Sequence, residues 1–275
     1  MPQPAKSYDR LSGLTALVTG GGSEGAAFSV GKAIATLFAR EGARVAVLDI
    51  DGARAENTVA SIAQESGAGL ALIGDVTDEA ACAAAVKACA DRFGGIDILV
   101  NNVAIVPRGS RLEQIDPADW RRAMDINFNS AFLMTRAALP YLLASTGKAV
   151  VSIASVAGLR AYSAPGYGAA KAALIQLTRD LASTYGPEGL RANVVAPGHI
   201  RTPMVANLNN AADWEVRRLV APLALEGDAW DIAQATLFLA SAEARFISGV
   251  CLPVDGAASE IGPLIAVQRH RARSA

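Results

Sequence analysis

The chain has 275 residues, of which 52% are hydrophobic, and its formal net charge at pH 7 is −1. This length and composition are enough for one large α/β core, so we expect a single domain over residues 1–275, with its core at about 11–256 and a C-terminal tail at 257–275. The balanced charge lacks the clustered basic excess of nucleic-acid and membrane-surface binders. Small-molecule partners are therefore expected.

The cysteines and the N-terminal segment narrow the class further. The three cysteines, Cys82, Cys89 and Cys251, form no C-x-x-C pair, and no His/Cys cluster has the spacing of a zinc site. No metal site is expected, and the thiols are interpreted as free and buried. The opening "MPQPAKSYDRLSG" has no apolar signal core, and no stretch approaches the ~20 apolar residues of a membrane span. We expect a cytoplasmic protein without a membrane partner.

Seven apolar runs alternate with helix-length segments along the chain. Continuous apolar strands separated by helices are typical of βαβ units, whose parallel sheet is covered by helices on both faces. The pattern predicts a three-layer, doubly wound parallel sheet of about seven strands. The runs are, in order, "LTALVT", "ARVAVLDI", "GLALIGDV", "DILVNN", "KAVVSIAS", "RANVVAP" and "GVCLPVDG".

The glycine-rich segment "TGGGSEGAAFSVGKAIA" follows the first strand and allows two registers. In one, Gly20, Gly22 and Gly25 form a literal G-x-G-x-x-G and the helix begins at Ala26. In the other, Gly20 and Gly31 flank the loop, and the residues between them form an extra flap near a pyrophosphate. The second is favoured, because the first would place Gly31 inside a helix at a cost of about 1 kcal/mol relative to Ala, whereas a glycine at the helix entrance permits close approach of a pyrophosphate.

An acidic residue, Asp49, ends the second strand. At this place in a dinucleotide-binding unit, a carboxylate accepts hydrogen bonds from the ribose hydroxyls and repels a 2′-phosphate. NAD is therefore favoured over NADP. The loop supports this preference, since it carries Glu24 and no cation before Lys32. The alternative is an ordinary turn residue at a strand end.

Polar residues also end the third and fourth strands. Asp75 and Val76 are positioned to bracket an adenine ring, although aspartate ends many strands. Asn101 and Asn102 end the fourth strand at the carboxyl edge of the sheet, where open α/β sheets bind ligands. Locking of a local turn is an equally good interpretation of these amides.

Tyr167 and Lys171, in "YGAAK", are spaced to share one face of a helix. A nearby ammonium stabilises a phenolate and lowers its pKa from about 10, which would make Tyr167 an acid/base near physiological pH. Ser155 ends the fifth strand, and its hydroxyl can donate to or accept from a reacting oxygen. Asn127 falls within a predicted helix, where asparagine is disfavoured. Either a relay role or local backbone bonding explains it.

Two long helices are predicted at 117–145 and 165–185. Asp116 suits the N-cap of the first and Pro117 its first position, while Pro140 is placed to bend it. The segment after Thr202 is expected to form a mobile lid, and the tail "QRHRARSA" a solvated terminus.

Taken in order, these motifs resemble the short-chain dehydrogenase/reductase family over residues 11–256. The series also includes "NNVA", "APG" and a C-terminal "VDGA". The chain departs from the family in the longer glycine-rich loop and at Val103 and Ala104, where the family commonly has Ala-Gly. The resemblance implies a Rossmann-like fold, a nicotinamide cofactor, interconversion of an alcohol and a ketone, and a homotetramer.

The resemblance also implies residue roles. Tyr167 would be the proton donor and acceptor, and Ser155 would hold the substrate oxygen. Lys171 would lower the tyrosine pKa and contact the nicotinamide ribose, and Asn127 would maintain a water relay to Lys171. The segment from Pro197 would bind the carboxamide. The implied cofactor-binding residues are Gly20, Ser29, Val30, Gly31, Asp49, Asp75, Val76, Asn102, Tyr167, Lys171, Pro197, Gly198, Ile200 and Thr202.

The leading functional hypothesis is an NAD-dependent oxidoreductase that interconverts a secondary alcohol and a ketone. A 3-oxoacyl-thioester reductase is an alternative, although that activity more often uses NADP, which Asp49 disfavours. A catalytically silent NAD-binding subunit is another. The presence of the complete set Asn127, Ser155, Tyr167 and Lys171 argues against it.

Overall fold

A seven-stranded parallel sheet with the order β3-β2-β1-β4-β5-β6-β9 forms the centre of the computed structural model. The structure describes residues 9–107, 109, 111–162, 164–203, 211–262 and 265. The strands of this sheet are β1 (Thr15–Thr19), β2 (Arg44–Asp49), β3 (Ala68–Ile73), β4 (Ile98–Asn101), β5 (Ala149–Ile153), β6 (Arg191–Pro197) and β9 (Cys251–Val254). The predicted seven-stranded sheet is confirmed. A short parallel pair, β7 (Ile200–Arg201) and β8 (Gly227–Asp228), is an addition that the sequence pattern did not predict.

Helices cover both faces of the sheet, as the continuous apolar strands predict. They are α1 (Val30–Arg40), α2 (Gly52–Gln64), α3 (Glu79–Phe93), α4 (Pro117–Met124), α5 (Ser130–Ala144), α6 (Pro165–Tyr185), α7 (Ala211–Val220) and α8 (Ala229–Ala240). Helices α1, α2 and α8 pack on one face, and α3 and α5 on the other, with the end of α6 beside them. In β1, Ala16 and Val18 enter the first core and Leu17 the second, because successive strand residues face opposite sides.

The long helix predicted at 117–145 is divided by a π-helical turn at Asp125–Asn129. Its start is as expected, since the Asp116 carboxylate accepts a hydrogen bond from Ala118 N at 2.6 Å. At the break, the Asn127 side chain donates to the Ala123 carbonyl at 2.9 Å, an acceptor that helix backbone would otherwise use. Pro140 lies inside α5, which continues to Ala144. Helix α6 has the predicted bounds.

The order of the strands reverses direction at β1, which pairs with β2 on one side and β4 on the other. In a doubly wound sheet, the carboxyl ends of the strands beside such a reversal leave a crevice that is not covered by a connecting loop. The loops that follow β1, β2, β4, β5 and β6 all meet at this edge.

Candidate active site

One groove of about 1250 Å³ runs along the carboxyl edge of the sheet. Its lining includes all of the residues predicted to bind a cofactor, together with Ser155. Asn127 does not line it. The predicted residues that line the groove are Gly20, Ser29, Val30, Gly31, Asp49, Asp75, Val76, Asn102, Ser155, Tyr167, Lys171, Pro197, Gly198, Ile200 and Thr202.

The glycine-rich loop adopts the register with Gly20 and Gly31 at its ends. Helix α1 begins at Val30, and Ser29 caps it by accepting a hydrogen bond from Lys32 N at 3.1 Å. The same hydroxyl donates to Gly22 O at 3.1 Å. A helix beginning at Ala26, as the literal G-x-G-x-x-G requires, is not formed. Residues 22–28 are called the inserted loop below.

Gly31 stands where no side chain fits. A Cβ there would lie 2.2 Å from Gly20 O and 2.6 Å from Asn102 Nδ2. Gly20 itself has φ +60°, which favours glycine. The Asn102 amide donates to Thr19 O at 3.1 Å and to Gly20 O at 2.9 Å, so it joins the end of β4 to the loop after β1. Helix α1 therefore starts against bare backbone, a geometry suited to a phosphate group.

The carboxylate at the end of β2 has two roles in the structure. Asp49 Oδ2 accepts a hydrogen bond from Gly22 N at 3.0 Å, and Oδ1 accepts one from Asp51 N at 3.1 Å. Asp49 thereby holds the inserted loop as well as lining the groove. Asp75 lines the groove too, but its Oδ1 accepts hydrogen bonds from both N and Oγ1 of Thr77, as a turn residue would. Val76 beside it is buried.

Ser155 follows β5 and caps a short 3₁₀ turn, Val156–Gly158, by accepting a hydrogen bond from Ala157 N at 3.1 Å. This turn lies directly against α6. A Cβ at Gly158 would be 2.8 Å from the Lys171 carbonyl carbon, and one at Gly168 would be 2.9 Å from Ala157 O. The two glycines thus permit the close approach that brings Ser155 to Tyr167 and Lys171. The role of Gly158 and Gly168 was not predicted from the sequence. A glycine shortly after Ser155 and another directly after Tyr167 were the signal that could have indicated it.

Tyr167 and Lys171 are together, but their electrostatics differ from the expectation. Lys171 Nζ lies 5.7 Å from the centroid of the Tyr167 ring and donates to Ile153 O at 2.8 Å. Burial lowers the pKa of Lys171 from 10.5 to about 7. Burial also raises the pKa of Tyr167 above its ordinary value, and a hydrogen bond with Ser155 opposes that shift only in part. The expected lowering of the tyrosine pKa is therefore wrong for the protein groups alone, because desolvation of the buried phenol outweighs its hydrogen bond with Ser155.

Asn127 lies behind the groove and is 1% exposed. Its amide donates to Ile105 O at 3.0 Å and to Ala123 O, and its Oδ1 accepts from Ile105 N at 2.9 Å. These bonds attach the π-helical turn to the segment after β4. The bond to Ala123 O agrees with the interpretation in which the side chain satisfies local backbone groups, whereas the two bonds to Ile105 reach a segment 22 residues away.

Several residues next to the predicted site fall at its margin. Arg160 and Tyr162 are absent from the lining; the Arg160 side chain is exposed near Glu260, and the Tyr162 ring packs near His199. Met204 and Leu208 of the predicted lid, and the tail at 268–275, lie outside the described residues. The described part of the lid segment contains α7, in which Arg217 approaches the Trp214 ring, and Arg201 of β7 approaches the same ring.

Arg54, in the first turn of α2, lines the groove beside Asp49 and was not predicted. Nothing in the sequence pattern predicted a contact between Arg54 and the inserted loop. Cys82 and Cys89 are buried free thiols, and Cys251 is partly buried. Within the described ranges, no helix is long and apolar enough to cross a membrane, and no group of three or more His, Cys, Asp or Glu side chains has the arrangement of a metal site.

Comparisons with known proteins agree with this architecture. A family model described as enoyl-(acyl carrier protein) reductase matches residues 25–259. The chain is 36% identical to 2,5-dichloro-2,5-cyclohexadiene-1,4-diol dehydrogenase LinX of Sphingobium indicum, over 90% of this chain and 97% of that one. It is 34% identical to cyclohexanol dehydrogenase of an Acinetobacter species, over 90% and 96%.

A solved structure from Burkholderia xenovorans, described as a short-chain dehydrogenase/reductase, is 40% identical and superposes with a TM-score of 0.86, covering 92% of this chain and 99% of that one. The chain belongs to the short-chain dehydrogenase/reductase family and is an oxidoreductase of that family.

Proposed function

We propose that the protein is an NAD-dependent dehydrogenase that oxidises a secondary alcohol on a six-membered carbon ring to the ketone, with Tyr167 as the acid/base. One observation carries the proposal: Ser155, Tyr167 and Lys171 converge at one end of a groove whose other end combines the bare backbone at Gly31 with the Asp49 carboxylate. Such a groove has a place for a dinucleotide and a place for proton transfer. The ring substrate is inferred from the names of the two relatives.

The residues fit a nicotinamide dinucleotide. Gly31 leaves a space that a Cβ would fill, and the start of α1 offers N–H groups to a pyrophosphate. Asp49 would accept hydrogen bonds from the adenosine ribose, and Asp75 with Val76 would border the adenine. The segment from Pro197 to Thr202 would hold the carboxamide. When bound, the oxidised nicotinamide supplies a hydride acceptor and a positive charge, which lowers the pKa of a nearby phenol.

Side chains of the protein then orient the alcohol and transfer its proton. Ser155 holds the alcohol oxygen: its Oγ accepts from Ala157 N, and the proton that it shares with Tyr167 in the structure is donated to the substrate instead. Tyr167 removes the hydroxyl proton in oxidation and returns it in reduction. Lys171 contributes its ammonium, whose position is set by the bond to Ile153 O. Asn127 is a positioning residue that holds the segment after β4 in place.

The decisive experiment compares Tyr167→Phe with the wild-type protein. Turnover of cyclohexanol and related ring alcohols with NAD⁺ should fall by roughly 10²–10⁴-fold, while the Kd for NADH, measured by fluorescence titration, changes little. Tyr185→Phe removes a hydroxyl from the end of the same helix, away from the groove, and should keep full turnover. Equal turnover by the Tyr167 variant would refute the mechanism.

The 3-oxoacyl-thioester reductase expected as an alternative is a second candidate, because the matching family is described as enoyl-(acyl carrier protein) reductase, whose substrates are also acyl thioesters although the bond reduced is C=C. The same assay therefore includes 3-oxoacyl thioesters with NADH and NADPH. Faster turnover of the thioesters with NADPH would replace the proposal by this alternative. Tight NADH binding with no turnover of either class would instead favour a silent subunit. The homotetramer and the cytoplasmic location remain predictions.

A further inference from the structure

Arg54 brings a cation to the part of the groove where Asp49 lies. It belongs to the first turn of α2 and lines the groove with Asp49. Its stem is held against the inserted loop: a Cβ at Gly22 would lie 2.7 Å from Arg54 Cβ and 2.6 Å from Asp49 Oδ2. Guanidinium groups are the side chains best matched to a phosphate. Taken alone, Arg54 would therefore favour a nucleotide that carries an additional phosphate near Asp49.

Glu24 of the inserted loop binds the Arg54 guanidinium. Glu24 Oε1 accepts a hydrogen bond from Arg54 Nη2, and Asp51 Oδ2 lies 3.4 Å from Arg54 Nε. With Asp49, the cluster has three carboxylates for one guanidinium, so its formal charge is negative. An additional phosphate would meet this negative charge as well as an arginine whose Nη2 already donates to Glu24.

Hydrogen bonds on both sides of Glu24 hold the inserted loop. Ser23 N donates to Arg54 O at 3.4 Å, and Ser23 Oγ donates to Ala27 O at 2.7 Å. Lys32, which is 2% exposed, donates to Gly25 O at 3.0 Å and to Asn57 Oδ1 at 2.7 Å. The Glu24–Arg54 pair is solvent-exposed and so adds little to folding stability. Its consequence is electrostatic: Glu24 places a carboxylate against Arg54, which lines the groove together with Asp49.

We propose that Glu24 is a second determinant of coenzyme choice, which acts by binding the Arg54 guanidinium and adding a carboxylate beside Asp49. The groove then prefers NAD over NADP by more than Asp49 alone achieves. This inference rests on the proposed use of a nicotinamide dinucleotide. It assigns a role to the inserted loop, the feature in which this chain departs most from its family pattern.

The test is a set of dissociation constants measured by isothermal titration calorimetry on the full chain with NAD⁺ and NADP⁺. In Glu24→Gln, the ratio of the NADP⁺ Kd to the NAD⁺ Kd should fall by about threefold to tenfold, since one repulsive carboxylate is removed and Arg54 is released. In the double variant Glu24→Gln/Arg54→Gln, the ratio should return to the wild-type value or above it. Glu56→Gln is the matched control, because Glu56 is exposed on α2, the helix that carries Arg54, and does not line the groove.

An unchanged ratio in Glu24→Gln would overturn the inference, as would an equal fall in Glu56→Gln or a fall that persists in the double variant. The wild-type titration separates this failure from that of the proposed function. A wild-type protein that binds neither dinucleotide refutes both. One that binds NAD⁺ with the expected preference, but whose ratio does not respond to Glu24, refutes only the role of Glu24.

Discussion

At the nucleotide end of the groove the backbone shapes the surface, whereas at the Ser-Tyr-Lys end buried polar side chains do. Gly31 lies so close to Gly20 O and to Asn102 that a Cβ at this position would clash with both. At the other end, Lys171 is fully buried and its pKa falls to about 7. The first end is thus sensitive to added volume, and the second to the removal of a titratable group. A substitution at one end that has the effect expected at the other end would contradict this comparison.

The largest effect is expected for Lys171→Met. Turnover should fall by roughly 10²–10⁴-fold, yet the variant should be more stable than the wild type at pH 7. The reason is the lowered pKa: between pH 7 and 10.5 the unfolded chain binds a proton at Lys171 that the folded protein does not hold. The wild-type free energy of unfolding therefore rises with pH across this window and is lowest below it.

Denaturant unfolding at pH 7 and pH 9.5 measures this difference. The stability advantage of Lys171→Met should shrink at the higher pH. The control is Lys148→Met, because Lys148 also donates to a backbone carbonyl, Glu188 O, but is only partly buried and its bond is exposed. The same pH trend in both variants would show that burial of Lys171 is not its cause.

A smaller effect, confined to binding, is expected for Gly31→Ala. The new Cβ would force α1 away from Gly20 O, so the Kd for NADH should rise by roughly 100-fold, with a loss of about 1–3 kcal/mol in stability from overpacking. Gly25→Ala is the informative comparison, since Gly25 has open space around it but a φ of +55°. Alanine there costs about 1–2 kcal/mol in backbone strain, so a loss of stability without a comparable loss of NADH binding is expected. If Gly25→Ala weakens NADH binding as much as Gly31→Ala, the literal G-x-G-x-x-G is the functional loop after all.

The smallest effect on turnover is expected for Asn127→Ala. Removal of the amide leaves the buried polar groups of Ile105 and Ala123 without their partner, at a cost of about 1–3 kcal/mol in stability. Turnover at low temperature should fall by no more than roughly tenfold. Asn129→Ala, in the same π-helical turn but exposed, should leave the melting temperature nearly unchanged. A 1000-fold loss of turnover without a loss of stability would instead support the relay role for Asn127.

The sheet and most of the groove were predictable because both depend on local patterns. Each apolar run became a strand, and Ser29 and Gly31 were placed at the start of α1 by the helix cost of glycine. The π-helical turn and the raised pKa of Tyr167 were not predictable in this way. Both depend on long-range contacts, the first on the Asn127 bonds to Ile105 and the second on how deeply the ring is buried. The Glu24–Arg54 pair likewise joins residues 30 positions apart.

The capping of α1 by Ser29 has a consequence for engineering. The inserted loop is bounded by Gly20, which is held by Asn102, and by Ser29, whose hydroxyl serves both Gly22 and the helix. Loop-closure entropy changes only slowly with length, so a connection with two fixed ends tolerates shortening or extension. The segment is therefore an insertion point at which new recognition chemistry can be introduced next to the groove without altering the alignment of α1 on the sheet.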